Sequence, residues 1–267
     1  MTRSCLDSLI PTLDRARDEV ILIDNGSVDE TGAMIAEMFP SVIYRRMEHN
    51  LGVAPARNRG IALSSGRFVM TLDNDTNVHA ADLGAEVEKV FEDYPFVGLF
   101  GFRLLNRDGT HQQSARRFPT IVHPICARVP GADKVGLCRR LLNEHMMNDT
   151  DFTHVDDLLE VDYVLGANQV MRREMLTKTG AYDDAIFYGP EDFEMCLRVH
   201  RAGWRVAWCR RVSITHDHLR ITRRFSKTTL RFIAAYLYVF WKYRSAWRIS
   251  KKGKVITGYK TEPVYDA

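Results

Sequence analysis

Short apolar runs that end in polar turns alternate with helical segments through the first hundred residues. The runs at 19–24, 42–47 and 68–73 have the length of buried strands, and the segments at 31–39 and 52–64 have helical patterns. Strands that alternate with helices at this spacing indicate a parallel sheet covered by helices. We therefore expect an α/β fold with a mostly parallel, Rossmann-like sheet and helices on both faces.

Two carboxylates, Asp73 and Asp75, follow the third run one residue apart in the sequence LDND. Ligands of open α/β sheets bind outside the carboxyl ends of the strands. Two acidic side chains at that place are costly unless a cation neutralises them. Mg²⁺ would do so, because it favours one or two carboxylates together with substrate phosphate oxygens. The alternative, for these residues alone, is a solvated Asx-rich turn.

Polar clusters also come after the first two strands. Asp24 ends the first run and would accept hydrogen bonds from a base or a ribose. Arg57 and Asn58 lie early in the second helix, where the helix dipole favours contact with phosphate. Because the carboxyl ends of parallel strands share one edge, the three clusters are expected to converge on one crevice.

The second half of the chain has a less regular pattern. Residues 116–157 contain three prolines and are expected to form a functional loop. Glu191 and Asp192 come at the first turn of a helix predicted from Pro190 to Ala202. Such a pair would either complement the helix dipole or supply a carboxylate that takes a proton from an acceptor hydroxyl.

The order IDNGSVDET, NLGVAPARN, LDND and GPEDFEMCLRVHRAGW resembles family 2 glycosyltransferases with a GT-A fold. The resemblance covers roughly Ser4 to His218. It implies a metal-dependent enzyme of cell-surface polysaccharide synthesis. Such an enzyme moves a sugar from a nucleotide-sugar donor, a UDP- or dTDP-sugar, to a hydroxyl of a glycan or lipid-linked acceptor. A second nucleophilic carboxylate is not evident, so a single, inverting displacement is expected.

The resemblance also implies roles for individual residues. Those expected to contact the donor are Asp24, Asn25, Arg57, Asn58 and Asp73. Those expected to contact the acceptor are Gly166, Ala167 and Glu191. The expected ligands of Mg²⁺ or Mn²⁺ are Asp73, Asp75 and His216. The expected general base is Asp192.

The C-terminal part of the chain is strongly basic, with 16 Lys or Arg and one acid between Arg201 and Lys260. We expect a GT-A domain at 1–220, with a nucleotide-sugar and metal half at 1–105 and an acceptor half at 106–220. A basic amphipathic helical extension is expected at 221–267.

Phe232–Trp241 is an unbroken apolar run of ten residues within this extension. It is too short to span a bilayer, which takes about 20 residues. With its flanking Lys and Arg it suits peripheral contact with an anionic membrane. The alternative is a helix packed on the core. No nucleic-acid partner is expected, because no recognised nucleic-acid motif accompanies the charge.

The five cysteines are widely spaced and form no C-x-x-C pair, so neither a disulfide framework nor a zinc site is expected. Residues 2–14 lack the apolar segment of a signal peptide. The expected location is cytoplasmic, on the inner face of the cell membrane.

The start of the chain departs from the family pattern. Family members begin with a strand that ends near a Thr-x-Asn turn, and residues 1–9 look like the helix after it. The first strand, an interior one in the family's sheet, is therefore expected to be missing. Either the true start lies upstream, or another segment fills the gap, or the protein as given binds its donor poorly. One alternative is a catalytically impaired sugar-nucleotide- or membrane-binding module. Another is a haloacid-dehalogenase-type phosphatase, although that class requires Thr or Val at the position of Asn77.

The sequence Arg116-Arg-Phe-Pro119 resembles the bacterial polysaccharide-assembling members of the glycosyltransferase family.

Overall fold

The computed structural model describes residues 1–129, 131–217, 227–243 and 254–256. The helices are α1 (Thr2–Leu9), α2 (Thr31–Met38), α3 (Val53–Leu63), α4 (Leu83–Asp93), α5 (His123–Arg128), α6 (Gly136–His145), α7 (Arg173–Thr179), α8 (Glu191–Arg201) and α9 (Lys227–Lys242). The strands are β1 (Ile21–Asp24), β2 (Ile43–Arg46), β3 (Phe68–Leu72), β4 (Thr76–His79), β5 (Val97–Leu105), β6 (His111–Gln112), β7 (Ala115–Arg116), β8 (Leu158–Glu160), β9 (Tyr163–Val164), β10 (Asn168–Arg172), β11 (Arg205–His216) and β12 (Lys254–Ile256).

The large sheet has the order β12-β8-β11-β5-β10-β3, with β4 paired to β11 and β6 to β5. The α/β class is confirmed, but the expected mostly parallel sheet is wrong. Parallel pairs are β1–β2 and β5–β11, and the other described pairs are antiparallel. The prediction relied on the strand–helix alternation of the first half. Strands of the irregular second half, above all β10 between β3 and β5, fill the centre of the sheet.

The two faces of the sheet carry separate apolar cores. Side chains alternate across a strand, so Leu99 of β5 packs in one core while its neighbour Phe100 packs in the other. Trp208 of β11 joins the first core, with side chains of α8 and α9. Helix α4 covers the opposite face through Val87, Phe91 and neighbouring residues. Helices therefore cover both faces, as expected.

The nucleotide half of the sheet is divided. Among the described strands, β1 pairs with β2 alone, and β3 pairs with β10 alone. The described strands thus include none that joins β1 and β3 into one sheet. Side chains join the two pieces: the Glu19 carboxylate accepts hydrogen bonds from the backbone N–H groups of Ser65 at 2.6 Å and Gly66 at 3.1 Å. Helix α1 packs on β4, and Ser4 Oγ donates to Asn77 Oδ1 at 2.7 Å.

The segment expected to be an irregular loop contains helices α5 and α6. Cys126 and Cys138 form a disulfide bond between these helices, so the expectation that no disulfide forms is wrong for this pair. They lie twelve positions apart in sequence, and the turn between two short helices brings their Cα atoms to 5.2 Å. A spacing of this kind has no signature in sequence. Cys5, Cys196 and Cys209 are buried free thiols.

Helix α9 belongs to the predicted C-terminal extension and packs into the core that contains α8. Its buried face includes Tyr236, Val239 and Phe240, and Phe193 of α8 packs edge-on against Tyr236. The core-packing alternative is therefore confirmed for this helix. None of the described helices is long and apolar enough to cross a membrane. Most of the basic residues that flank α9 in sequence, at 220, 223, 224, 244, 248, 251 and 252, lie outside the described residues.

Candidate active site

Three side chains suited to hold a metal ion converge where β3, β4 and β11 meet. Asp73 follows β3, Asp75 precedes β4, and His216 is the last residue of β11. The antiparallel pairing of β4 with β11 sets His216 opposite Thr76, next to Asp75. One ligand atom from each of the three residues lies within 4.8 Å of the other two. The tertiary structure thus brings together the residues that the resemblance assigns to the metal.

This set of ligand atoms suits a hard divalent cation. Asp75 Oδ1 is buried, has no hydrogen-bond donor among the described residues and lies 3.5 Å from His216 Nε2. Burial raises the pKa of Asp75, the nearby His216 lowers it, and the charge of Asp73 raises it further. A buried carboxylate oxygen without a donor is costly, and a bound cation would remove that cost. Two carboxylates and one imidazole are ligands that Mg²⁺ or Mn²⁺ accepts.

Gln112 orients the imidazole of His216. The Gln112 amide nitrogen donates to Asn106 Oδ1 at 3.1 Å and to the His216 carbonyl at 3.2 Å. Its Oε1, 2.6 Å from His216 Nδ1, is therefore the acceptor. The imidazole proton then belongs on Nδ1, which leaves the lone pair of Nε2 directed toward Asp75, as a metal ligand needs. Sequence reasoning missed Gln112 because only the pairing of β6 with β5 brings it here.

Arg57, in the second turn of α3, links the metal side of the site to α8. Its Nη2 lies 2.8 Å from Asp73 Oδ1 and donates to the Gly166 carbonyl at 2.8 Å, while Nη1 lies 3.3 Å from Glu191 Oε1. The guanidinium also lies over the Tyr182 ring, 5.5 Å from its centroid. Burial alone lowers the pKa of Arg57, but Asp73, Tyr182 and Glu191 together raise it. Arg57 is thus charged and holds Asp73 in place.

Asp192, the predicted general base, lies in the first turn of α8 beside the segment that precedes β10. Its Oδ1 accepts from the Phe193 N–H at 2.7 Å and its Oδ2 from the Gly166 N–H at 3.3 Å. Burial raises the pKa of Asp192 to about 7, and the charge of Glu191 adds to the rise. A carboxylate with this pKa is well suited to take up a proton near neutral pH.

The residues expected to contact the acceptor differ in what they touch. Gly166 bonds both Arg57 and Asp192 through its backbone. The Ala167 side chain is buried, and its carbonyl accepts from the Asp73 N–H at 2.9 Å. Glu191 is buried, and its Oε2 accepts from the Gly189 N–H at 2.7 Å. The structure therefore places all three around the site as supports, and their contacts with an acceptor stay predictions.

The residues expected on the nucleoside side are engaged in local hydrogen bonds. Asp24 is buried, and its carboxylate accepts from the Tyr44 hydroxyl at 2.5 Å and from the Ser27 N–H at 2.7 Å. The Asn25 amide donates to the Gly52 carbonyl at 2.9 Å, at the start of α3. Asn58 holds the segment after α7, donating to the Tyr182 carbonyl at 2.7 Å and accepting from the Tyr182 N–H at 2.8 Å. Asn25 and Asn58 thus position α3, which carries Arg57, and their donor contacts also stay predictions.

The sequence has relatives among bacterial glycosyltransferases. It is 27% identical over 212 residues to the uncharacterized glycosyltransferase YfnE of Bacillus subtilis, covering 69% of this chain and 53% of the relative. It is 23% identical over 247 residues to the N-acetylglucosaminyl-diphospho-decaprenol L-rhamnosyltransferase of Mycobacterium tuberculosis, covering 86% of this chain and 76% of the relative. The chain thus spans about half the length of the Bacillus protein.

Solved glycosyltransferase structures share the fold. GalNAc-T7, solved with UDP, GalNAc and Mn²⁺, superimposes with a TM-score of 0.61 at 18% identity, over 90% of this chain and 45% of that one. The mannosyltransferase PcManGT from Pyrobaculum calidifontis, solved with GDP-Man and Mn²⁺, gives a TM-score of 0.55 at 18% identity, over 90% of this chain and 59% of that one. These likenesses confirm the GT-A fold.

Family profiles agree with the arrangement of the site. Residues 125–249 match the profile of glycosyl transferase family 21. Residues 1–179, which include Arg57, Asp73, Asp75 and Gly166, match the profile of glycosyl transferase family 2. The phosphatase alternative has no support in these matches. The chain belongs to glycosyl transferase family 2.

Proposed function

We propose that this protein is a metal-dependent, inverting glycosyltransferase that uses a nucleoside diphosphate sugar, a UDP- or dTDP-sugar, as donor. The observation that carries the proposal is the position of the metal-ligand set and Asp192 on either side of Arg57. Asp73 contacts Arg57 at 2.8 Å, and Gly166 bonds both Arg57 and Asp192. A cation that holds a diphosphate and a base that activates a hydroxyl are the two parts that a single displacement needs.

In the proposed reaction the acceptor hydroxyl oxygen forms a bond to the anomeric carbon while the bond from that carbon to the diphosphate oxygen breaks. Asp192 takes the hydroxyl proton as general base. The metal, when bound, would stabilise the negative charge of the leaving diphosphate. Arg57 keeps Asp73 in position and adds positive charge beside it. Glu191 is held by Arg57 and the Gly189 N–H, so it is not placed to act as a second nucleophile.

Mg²⁺ or Mn²⁺ is the proposed metal, held by Asp73, Asp75 and His216. Support comes from the buried, unpartnered Asp75 oxygen and from the two similar structures solved with Mn²⁺. The identity of the donor sugar has weaker support. The mycobacterial relative is named a rhamnosyltransferase, which makes a dTDP-linked deoxysugar a first donor to assay.

The proposed acceptor is a glycan or a lipid-linked sugar of cell-surface polysaccharide synthesis. The name of the mycobacterial relative includes an acceptor of this kind, a sugar joined through a diphosphate to a polyprenol.

We also propose that α9 contacts an anionic membrane surface, the inner face of the cell membrane. The exposed residues Leu230, Ala234, Leu237 and Trp241 recur at helical spacing, on the face away from Tyr236 and Val239.

The proposal is tested by sugar transfer from UDP- and dTDP-sugars, with and without Mn²⁺ or Mg²⁺. Asp75→Asn and Asp192→Asn are each expected to lower kcat at least 100-fold, because they remove a metal ligand and the base. Asp75→Asn should weaken Mn²⁺ binding in calorimetry, whereas Asp192→Asn should leave it unchanged. Asp156→Asn is the matched control, since Asp156 is an exposed aspartate outside the site.

Transfer that persists in EDTA, or full activity of both site variants, would overturn the proposal. The impaired-module alternative predicts a different result: nucleoside diphosphate and Mn²⁺ bind, but no sugar is transferred or hydrolysed.

A further inference from the structure

A cavity of about 720 Å³ adjoins the candidate active site on the side of β6 and β7. His216 and Gln112 form one wall, and Leu165, which precedes Gly166, forms another. Arg107 and Arg116 are the arginines that line it. The cavity is of the size that binds small ligands. It lies between the metal-ligand set and the segment that bonds Asp192, and none of the roles above uses it.

The two arginines of the cavity differ in their partners. Arg107 forms an ion pair with Asp217, which also lines the cavity, so its charge is compensated. Arg116 forms no ion pair with any acid in the described part of the chain. Its neighbour in sequence, Arg117, has a different environment, with Nη2 3.1 Å from both carboxylate oxygens of Asp149. Of two consecutive arginines, Arg117 is paired with an acid, and Arg116 lines the cavity without an acid partner among the described residues.

The guanidinium of Arg116 is held by neutral groups. Its Nη1 donates to the Ala115 carbonyl at 3.2 Å, and the Tyr163 hydroxyl lies beside it. Burial lowers the pKa of Arg116, while Tyr163 and Asp192 act in the opposite direction. A half-buried cation without a carboxylate is costly unless an anion binds to it. An arginine fork with unused N–H groups matches the oxygen atoms of a phosphate.

Other charges around the cavity also favour an anion. Burial lowers the pKa of His111, which lines the cavity, and the positive charges of Arg103 and Arg116 lower it further, while the hydrogen bond that His111 Nε2 donates to Gln113 Oε1 raises it. Arg103 is held by the Ser213 hydroxyl, 3.0 Å from its Nε. Asp217 is the one acid among the described residues that line the cavity, and Arg107 engages it.

We propose that this cavity binds a phosphate group of the acceptor and that Arg116 is the residue that contacts the phosphate. The inference rests on the proposed transferase function and specifies its acceptor: a sugar joined through phosphate to its carrier. The negative charge of Asp192 is close enough to raise the pKa of Arg116. The sugar that receives the new bond would lie between them, with its hydroxyl at Asp192 and its phosphate at Arg116. Arg116 is a binding residue and takes no proton.

The first experiment compares two acceptors that carry the same sugar, a prenyl diphosphate ester of N-acetylglucosamine and its octyl glycoside. Arg116→Gln is expected to raise KM for the diphosphate ester roughly 10- to 100-fold, because a hydrogen bond between charged groups is lost. KM for the octyl glycoside and for the donor should change less than about twofold. Arg116→Lys keeps the charge but loses the bidentate fork, so its KM for the diphosphate ester should lie between those of the wild type and Arg116→Gln. Arg117→Gln is the matched control and should show no preference between the acceptors.

An equal rise in KM for both acceptors, or a rise in KM for the donor, would overturn the inference. Arg116 would then act on the donor diphosphate or on the fold. The second experiment needs no transfer: calorimetry of inorganic pyrophosphate in EDTA, which removes metal-dependent binding. Binding should be lost in Arg116→Gln and kept in Arg117→Gln, with thermal unfolding as the check on folding. Equal pyrophosphate binding by all three proteins would also overturn the inference. If no acceptor is glycosylated but this pattern holds, the transferase proposal fails and the anion site stands.

Discussion

Gly166 has no side chain at the point where the Arg57 guanidinium reaches between Asp73 and Glu191. A methyl group on Gly166 would come within 2.7 Å of Arg57 Nη1. The guanidinium cannot move without losing its bonds to Asp73, to Glu191 or to the Gly166 carbonyl. One absent side chain thus permits the contact on which both halves of the site depend.

We predict that Gly166→Ala displaces Arg57 and disorders the site. kcat/KM should fall roughly 10- to 100-fold, which corresponds to the loss of one or two charge-assisted hydrogen bonds. The free energy of unfolding should fall by about 1–3 kcal/mol, as in overpacked sites. Steady-state kinetics and urea unfolding measure the two effects. Gly136→Ala is the control, because a methyl group there meets nothing within 4 Å. Similar behaviour of the two variants would contradict the steric argument.

The pKa of Asp192 also predicts a pH dependence. A general base must be unprotonated, so kcat/KM should rise with pH through about 7, the value to which burial raises this pKa. Initial rates from about pH 5.5 to about pH 8.5 would show this limb. A limb near pH 4, the ordinary value of an exposed aspartate, would exclude Asp192 as the base.

The same shift affects stability, which provides a check independent of catalysis. The folded protein binds the Asp192 proton more tightly than the unfolded chain, so this group contributes less stability as pH rises from about 4 to about 7. Asp192→Asn removes that loss. Its Tm should exceed the wild-type value by roughly 2–8 °C at about pH 8, and the two should agree near pH 4.

At the scale of elements, α9 connects the outer surface to the loop that leads into α8. Phe232 occupies the space beside Gly189, where a methyl group would clash with its ring at 2.1 Å. Arg231 lies over the Phe187 ring, 4.3 Å from its centroid. The Phe187 carbonyl in turn accepts from the Val53 N–H at the start of α3, at 2.7 Å. The buried face of α9 therefore supports the active-site loop, and its outer face is left for a partner.

We predict that the outer face of α9 binds anionic vesicles. The exposed fractions of Leu237 and Trp241 are 55% and 69%, so neither side chain is needed for the fold. Leu237→Glu and Trp241→Glu should each weaken sedimentation with phosphatidylglycerol vesicles roughly tenfold, because each removes apolar burial and adds repulsion. Added salt should weaken binding by the wild type.

Leu63→Glu is the control for this prediction, since Leu63 is a 44% exposed leucine at the end of α3. All variants should unfold at the wild-type temperature, and none should lose transfer to a water-soluble acceptor. Wild-type protein that sediments equally with phosphatidylcholine and phosphatidylglycerol vesicles, or variants that bind like the wild type, would contradict membrane contact through this face.

At the scale of the whole molecule, the sequence was most informative where local pattern and chemistry coincide. The strands β1, β2 and β3 and the helices α2, α3 and α8 lie where periodicity and turn residues predicted them. Asp73 and Asp75 were identified because they follow a buried strand. Two carboxylates at such a position are costly unless a cation neutralises them. The family was found from the order of such clusters, and the family profile confirms it.

The direction of the sheet and the segment 116–157 were not predictable in this way. Strand direction depends on which strands become neighbours, and β10 reaches its place between β3 and β5 through contacts far apart in sequence. Strand β11 continues past an irregularity between Cys209 and Ser213 to end at His216, opposite β4. The disulfide and the Arg116 cavity likewise depend on how α5, α6, β6 and β7 fold back on the sheet.

The sequence by itself determined the α/β class, the acidic pair after the third strand, the candidate base at the start of α8 and the family. These follow from periodicity, from the cost of burying charge and from the order of motifs along the chain. Tertiary structure alone decided which groups meet around the predicted metal-ligand set: Gln112 with His216, Arg57 with Asp73 and Glu191, and Arg116 with a cavity. The physical reason is that hydrogen-bond and ion-pair partners are chosen by strand register and packing between residues distant in sequence, and local pattern does not encode these.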